Sequence, residues 1–430
     1  MDYAVSHDRT RSNWTNGHWG WNGLLAWFLW LVTPASLVFR QAYFSEMSTG
    51  FLMLLAWWYL LEWRDSATTG SLVIVSAAVG WGAITRPLTA LAFGLPIIIY
   101  VLWQGWRRGK WKQLAVGAAV GAAILMLQPW QNLEVTGDWS LTPIRRYSEV
   151  YFPFDWMGFD TRDTAPLREL PLDMRQLGGE SVRVHNAHTV EALPTILRDR
   201  VKWILHTTWG GWWVALAPLA AIALIGLSMQ GWFALGTFVL IVVGYLLFAH
   251  PAEWVLYYME AQEIVVMITA VGIWNFSQWV VRLQRRKSAI PAREAIVRGG
   301  IAVCAFMLVV APFKTKFIGG VRDPVRALRQ QQSAFRTMLA ELPQPSVVFV
   351  RYSPSHDIHA SLITNAPDLD KAHAWTVYDR GAENLDLLAE ARGRTPYIFE
   401  EHTGILHLIN PTTGDILNAG DESQSPSGGP

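Results

Sequence analysis

Carboxylates, guanidinium groups and aromatic rings are gathered most densely between residues 134 and 202. Asp138, Asp155, Asp160 and Asp163 alternate there with Arg145, Arg146 and Arg162, among Trp139, Tyr147, Tyr151, Phe152, Trp156 and Phe159. Carboxylates can act as general bases, arginines can clamp a phosphate through paired hydrogen bonds, and aromatic faces can stack on a sugar or a lipid headgroup. The same composition suits a solvated loop on a membrane surface, and taken alone it favours that plainer role.

Two further places carry charge next to apolar sequence. Arg86 lies in TRPLTAL between two uncharged runs, followed by the helix-breaking Pro87. It can hold an anionic group or snorkel to lipid phosphates. Residues 250–263 carry His250, Glu253, Tyr257, Tyr258, Glu260 and Glu263 at the entrance to another apolar run. An acid at that depth is a functional candidate, and a pair with Arg86 is its structural alternative. His185 and His188 in VHNAHT, and His356 and His359 in SHDIHA, are spaced like helical metal ligands but lack the HExxH context, so a metal is a minor expectation. The sequence has no Walker loop, GxSxG elbow or strand-linked GxGxxG, and its single cysteine, Cys304, excludes an intramolecular disulfide.

The elements that must position these residues are membrane helices. Of 430 residues, 51% are apolar and only 16% charged, and the mean hydropathy is +0.20. These values point to a bilayer as solvent, and the net charge of +1 gives no nucleic-acid signature. The 24 tryptophans suit membrane interfaces, and Trp103, Trp106, Trp130, Trp203 and Trp254 fall near expected helix ends. Uncharged runs cover 21–39, 47–61, 66–85, 87–106, 113–133, 203–252, 264–281 and 299–313, the sixth being split at Ser228, Gln230 and Gly231. That predicts about nine spans of about 20 residues or somewhat fewer.

Basic loops set the orientation. Arg107, Arg108, Lys110 and Lys112 mark one cytoplasmic loop, and Arg282, Arg285, Arg286, Lys287, Arg293 and Arg298 mark another an even number of crossings later. The expected organisation is a cytoplasmic segment 1–20, five spans in 21–133, an extracytoplasmic loop 134–202, four spans in 203–313, an extracytoplasmic α/β domain 314–417 and a disordered tail 418–430. No cleavable signal peptide is expected, and the location is the plasma (inner) membrane. In the C-terminal domain, the sequence predicts an amphipathic helix near 323–342, strands at Val347–Tyr352 and near 374–378, and a helix near 382–392.

The order of these elements resembles the GT-C glycosyltransferases, the superfamily that includes protein O-mannosyltransferases and lipid A aminoarabinose transferases. TPASLVFRQAYFSEMSTGFLMLLAWWYLLEW is similar to a helix pair of that family, GWGAITRPLTALAFGLPIIIYVLW to its glycine-rich helix with Arg-Pro, and QNLEVTGDWSLTPIRRYSEVYFPFDWMGFD to the loop that follows. NAHTVEALPTILRDRVKWIL and EWVLYYMEAQEIVVMITAVGIW resemble its re-entry helix and its aromatic-acidic helix entrance, and the tail from VVFVRYSPSHDIHASLITN onward resembles a C-terminal domain of bacterial members.

The resemblance implies transfer of a sugar from a polyprenyl-phosphate donor to a lipid, glycan or protein acceptor outside the cytoplasm. It implies no resident cofactor and leaves a divalent metal open. Arg86, Arg145 and Arg146 become candidates for the donor phosphate, and Asp138, Asp155 and Asp160 candidates for the carboxylate beside the acceptor. Glu46, His188, Tyr258 and Glu260 are secondary candidates. The family's first helix and first outer loop, which carries its principal catalytic acid, have no counterpart here, and Glu46 is the only acid of the first outer turn. A shortened chain, or a member that no longer transfers sugar, is therefore the expectation. A non-catalytic protein binding glycan or an envelope partner is the first rival. A transporter is the second, and the clean apolar runs disfavour it.

Overall fold

The computed structural model describes residues 18–39, 45–160, 165–210, 213–285, 299–300, 303, 316–357 and 360–417. The expectations for residues 1–17, for the basic loop beyond 285, for nearly all of span 299–313 with Cys304, for Arg162, Asp163 and His359, and for the tail 418–430 lie outside the described residues. The chain forms two compact units, one drawn from Met1–Ser148, Asp155–Arg162 and Val184–Gly319, the other from Glu149–Phe154, Asp163–Arg183 and Gly320–Pro430.

The first unit is helical. In place of one helix over 21–39 there are two, α1 (His18–Leu31) and α2 (Pro34–Phe39). Pro34 has no N–H to extend the ladder, and the Thr33 hydroxyl accepts the Ser36 N–H at 3.1 Å to start a new helix. Next come α3 (Ser45–Ser66), α4 (Thr69–Thr85), α5 (Pro87–Arg107), α6 (Trp111–Leu125) and, after a break at Met126, α7 (Leu127–Thr136). α4 packs against both α3 and α6.

The run 203–252 gives three helices rather than two. α10 (Leu193–Trp209) begins well before residue 203, because Pro194 suits a first helical turn, and it ends at Gly210, whose φ of 63° and ψ of −153° only glycine adopts readily. α11 (Trp213–Leu224) and α12 (Met229–Gly244) follow. The break expected at Ser228 is a helix cap, its hydroxyl accepting the Gly231 N–H at 3.2 Å. α13 (Met259–Arg285) packs against α1, α3, α10, α11 and α12. At Gly272 a Cβ would lie 1.8 Å from the Leu219 carbonyl oxygen, so this glycine lets α11 and α13 cross backbone to backbone.

Among the described residues, four helical stretches are long and apolar enough to cross a membrane: Pro87–Arg107, Trp111–Thr136, Met229–Leu247 and Val255–Leu283. Thr69–Thr85 is apolar but shorter, at 17 residues. Basic residues collect where α3 ends and α5 turns into α6, with Arg108 Nη1 donating to the Arg64 carbonyl at 2.8 Å. Arg86 stands at the other end of α5, about 30 Å away at 1.5 Å per residue.

The segment 134–202 is not one irregular loop, since it contains α8 (Pro143–Tyr151), α9 (Leu172–Ala187) and the start of α10. The start of α10 falls within the re-entry helix expected from NAHTVEALPTILRDRVKWIL, whereas the polar-aromatic composition had hidden α8 and α9.

The second unit is built on a four-stranded sheet of order β2-β1-β3-β4, from β1 (Ser346–Arg351), β2 (Ala374–Tyr378), β3 (Thr395–Glu400) and β4 (Ile405–Leu408). β1 is parallel to β2 and β3, and β4 is antiparallel to β3. The unbroken apolar run SVVFV marks a central strand covered on both faces. Phe335 of α14 (Lys316–Ala340) joins Val348, Val350 and Phe399 on one face, and Leu387 and Leu388 of α15 (Asn384–Glu390) join Val347, Phe349 and Ile398 on the other. Tyr378 donates to Asp173 at 2.9 Å, which ties the first turn of α9 to the end of β2.

Candidate functional site

Pro87 at the first position of α5 forces Arg86 out of helical geometry, to φ −144° and ψ 85°. The elbow throws the arginine side chain into the first unit, where it is buried. Its guanidinium pairs with Glu46 from the first turn of α3 and with Glu260 from the first turn of α13, the latter at 3.5 Å. Nη2 donates to the Tyr245 hydroxyl at 2.6 Å and to the Tyr257 carbonyl at 3.3 Å. Thr89 lies 3.0 Å from the same hydroxyl, and the Tyr245 and Tyr257 rings flank the cation at 5.7 and 5.9 Å.

A second buried arginine fixes the backbone beside this cluster. Arg200 of α10 donates to the carbonyls of Tyr245 at 2.6 Å, Phe248 at 2.9 Å and His250 at 3.3 Å, bracing the link between α12 and α13, which is two short 3-10 turns (Tyr245–Leu247 and Val255–Tyr258) joined by irregular backbone. His250 sits inside that link, with Nδ1 2.8 Å from the Pro251 carbonyl and Nε2 3.0 Å from the Tyr258 hydroxyl. A carbonyl only accepts, so Nδ1 carries the proton and Nε2 receives the Tyr258 O–H. Burial first, then the Arg200 charge, holds His250 neutral, its pKa lowered from 6.5 to about 3.

The cluster has spare acceptors. Glu46 Oε2, both Glu260 oxygens and Glu263 Oε2 are buried without a hydrogen-bond partner. Glu263, one turn beyond Glu260, fills the space left by Gly50, where a Cβ would stand 2.5 Å from its Oε1. Glu46 and Glu260 thus share the single buried guanidinium of Arg86, with Glu263 one turn further along α13. Among the described residues no three His, Cys, Asp or Glu side chains converge to hold a metal ion.

Of the residues singled out from sequence, the structure brings Arg86, Glu46, Tyr258 and Glu260 together, and lays a second group against the Tyr245–His250 link. There Gly158 N–H donates to the Leu247 carbonyl at 2.8 Å and His188 Nε2 to the Leu246 carbonyl at 2.9 Å. His188 stacks on Phe159, and burial pushes its pKa down. Asp160 adopts φ 61° while donating its N–H to the His188 carbonyl at 3.2 Å. Asp155 lies 3.6 Å from His185 Nε2 and within electrostatic reach of Tyr257.

Asp138, Arg145 and Arg146 are exposed, on the turn after α7 and on α8, whereas Arg86, Glu46 and Glu260 are buried. Asp138 closes a turn, accepting the Ser140 N–H and hydroxyl at 2.8 Å each, and these two bonds hold its carboxyl below its usual range. Sequence reasoning missed Arg200 and Tyr245. Arg200 could have been found by starting a helix at Pro194, whereas Tyr245 stands in an apolar run with nothing to mark it. Comparison with protein families, characterised proteins and solved structures gives no match to this chain.

Proposed function

We propose that the chain is a multi-spanning membrane glycosyltransferase that moves a sugar from a polyprenyl-phosphate donor to an extracytoplasmic acceptor. The observation that carries this reading is the buried Arg86 guanidinium standing beside carboxylate oxygens of Glu46 and Glu260 that lack donors. A phosphosugar offers the complement of that arrangement, an anion for the arginine and hydroxyl donors for the orphaned oxygens.

In this mechanism Arg86 exchanges one carboxylate partner for the donor phosphate, while Tyr245 and Thr89 keep its position. Asp155, with Asp160 as the alternative, takes the proton of the acceptor hydroxyl as its oxygen bonds to the anomeric carbon. The bond from that carbon to the phosphate oxygen breaks, and polyprenyl phosphate leaves with the electron pair, its charge met by Arg86. The orientation that suits this chemistry has about nine spans, the loops at 107–112 and 282–298 in the cytoplasm of a plasma membrane, and the Arg86 end with the C-terminal α/β domain outside. The test is the glycan profile of cells carrying Arg86→Lys or Asp155→Asn, with protein level monitored. Loss of a glycan product at unchanged protein level supports transfer, and an unchanged profile opposes it.

A second reading, a non-catalytic membrane protein that binds glycan or an envelope partner, draws on the same cluster. Arg86 already has two carboxylate partners and a phenol, which is how a purely structural arginine is satisfied.

A further inference from the structure

Helix α8 follows the membrane-length stretch Trp111–Thr136 closely, and only 6% of that stretch's apolar window is covered by protein. Lipid is what such a helix meets. Its exposed apolar residues continue to its end, through Trp130, Leu133 and Val135, and then past it, with Trp139 68% exposed, Ile144 71% and Tyr147 43%. The turn between is fixed. Thr136 Oγ1 lies 2.8 and 3.0 Å from the Asn132 and Leu141 carbonyls, Asn132 Nδ2 donates to the Trp139 carbonyl at 3.0 Å, and Thr142 caps the Arg145 N–H at 3.2 Å.

On α8 itself, Ile144 and Tyr147 are three residues apart and share a face, while Arg145 and Arg146 project from the remainder of the helix. We propose that Trp139 and α8 form an interfacial anchor, with Trp139, Ile144 and Tyr147 in the headgroup–acyl boundary of the bilayer and Arg145 and Arg146 on phospholipid phosphates. The occupant is the bilayer, because the exposed apolar residues of the lipid-facing stretch Trp111–Thr136 are followed directly by exposed Trp139, Ile144 and Tyr147, and the flanking arginines match its phosphate layer. Glu134, Asp138 and Glu149 stand nearby in sequence, so the anchor binds phospholipid generally rather than selecting anionic lipid. Arg145 and Arg146 then serve the bilayer and not the sugar donor.

The test places an environment-sensitive fluorophore at single cysteines introduced by Ile144→Cys, Arg145→Cys, Arg146→Cys and Tyr147→Cys. Each is made in the full chain carrying Cys304→Ser, reconstituted in phosphatidylcholine nanodiscs. Quenching by nitroxide on the lipid chains is compared with quenching by a water-soluble agent. Lipid quenching about twofold or more stronger at 144 and 147 than at 145 and 146, with the reverse order for the aqueous agent, is expected. Equal aqueous quenching at all four positions overturns the anchor. Protection of 144 and 147 from both agents overturns it as well, and assigns the face to a protein neighbour such as a second copy.

Discussion

The Arg86 guanidinium donates to the Tyr245 hydroxyl at 2.6 Å, joining the elbow between α4 and α5 to the end of α12 across 159 positions of sequence. This bond and the two carboxylates beside it make the cluster a structural knot as well as a candidate site, and the two roles separate by experiment.

Arg86→Met leaves Glu46 and Glu260 buried without their cation. Removing one partner of a buried ion pair costs about 3–5 kcal/mol, so the variant should unfold at markedly lower temperature in detergent. Adding Glu46→Gln should return part of that loss. A double variant no more stable than Arg86→Met would show that the pair is not coupled.

Gly50→Ala sets a methyl group 2.5 Å from Glu263 Oε1, so the Glu263 carboxyl group must shift from its place against α3. The expected cost is about 1–3 kcal/mol, read as a lower thermal midpoint. Glu263→Ala in the same chain should relieve the clash, and failure to relieve it would place the strain elsewhere.

His250 makes stability depend on pH. Its pKa is about 3 in the folded chain against 6.5 in the unfolded one, so between those values the unfolded state binds more protons. Stability from this group is full above pH 6.5 and falls as pH drops toward 3, by up to about 1.4 kcal/mol per unit. Thermal midpoints of the native chain and of His250→Gln, measured from pH 7.5 to 4.5, should fall more steeply for the native chain. Parallel curves would remove His250 as the cause.

Asp138 and Asp155 should behave differently if sugar is transferred. Asp138→Asn alters only an exposed turn and should leave turnover nearly unchanged, whereas Asp155→Asn should lower it by about 10²–10⁴. Equal losses, measured as product per unit of protein, would contradict the assignment of the base.

The membrane character and the two-faced strand SVVFV were legible because both rest on unbroken apolar runs, which composition alone reveals. The pairing of Arg86 with Glu260 could be anticipated, since charges inside apolar sequence must find each other. The Pro34 break, the Gly210 end of α10 and the short helices α8 and α9 depend on single residues within stretches of uniform composition, so windowed hydropathy passes over them. Tyr245 and Arg200 were hidden for a different reason. Their roles come from the link at 245–258, where the α-helical ladder gives way to 3-10 turns and irregular backbone between α12 and α13.

The most direct measurement needs no knowledge of the acceptor. Lipid extracts of cells lacking the protein, and of cells in which Arg86→Lys replaces it, are compared with the parent by mass spectrometry for polyprenyl-phosphate-linked sugars. Arginine to lysine keeps the charge and loses the paired hydrogen bonds. If the protein consumes such a donor, one species should accumulate in both strains and return to the parental level when the native chain is restored. A donor pool unchanged in both strains would contradict sugar transfer and leave binding as the function of the cluster.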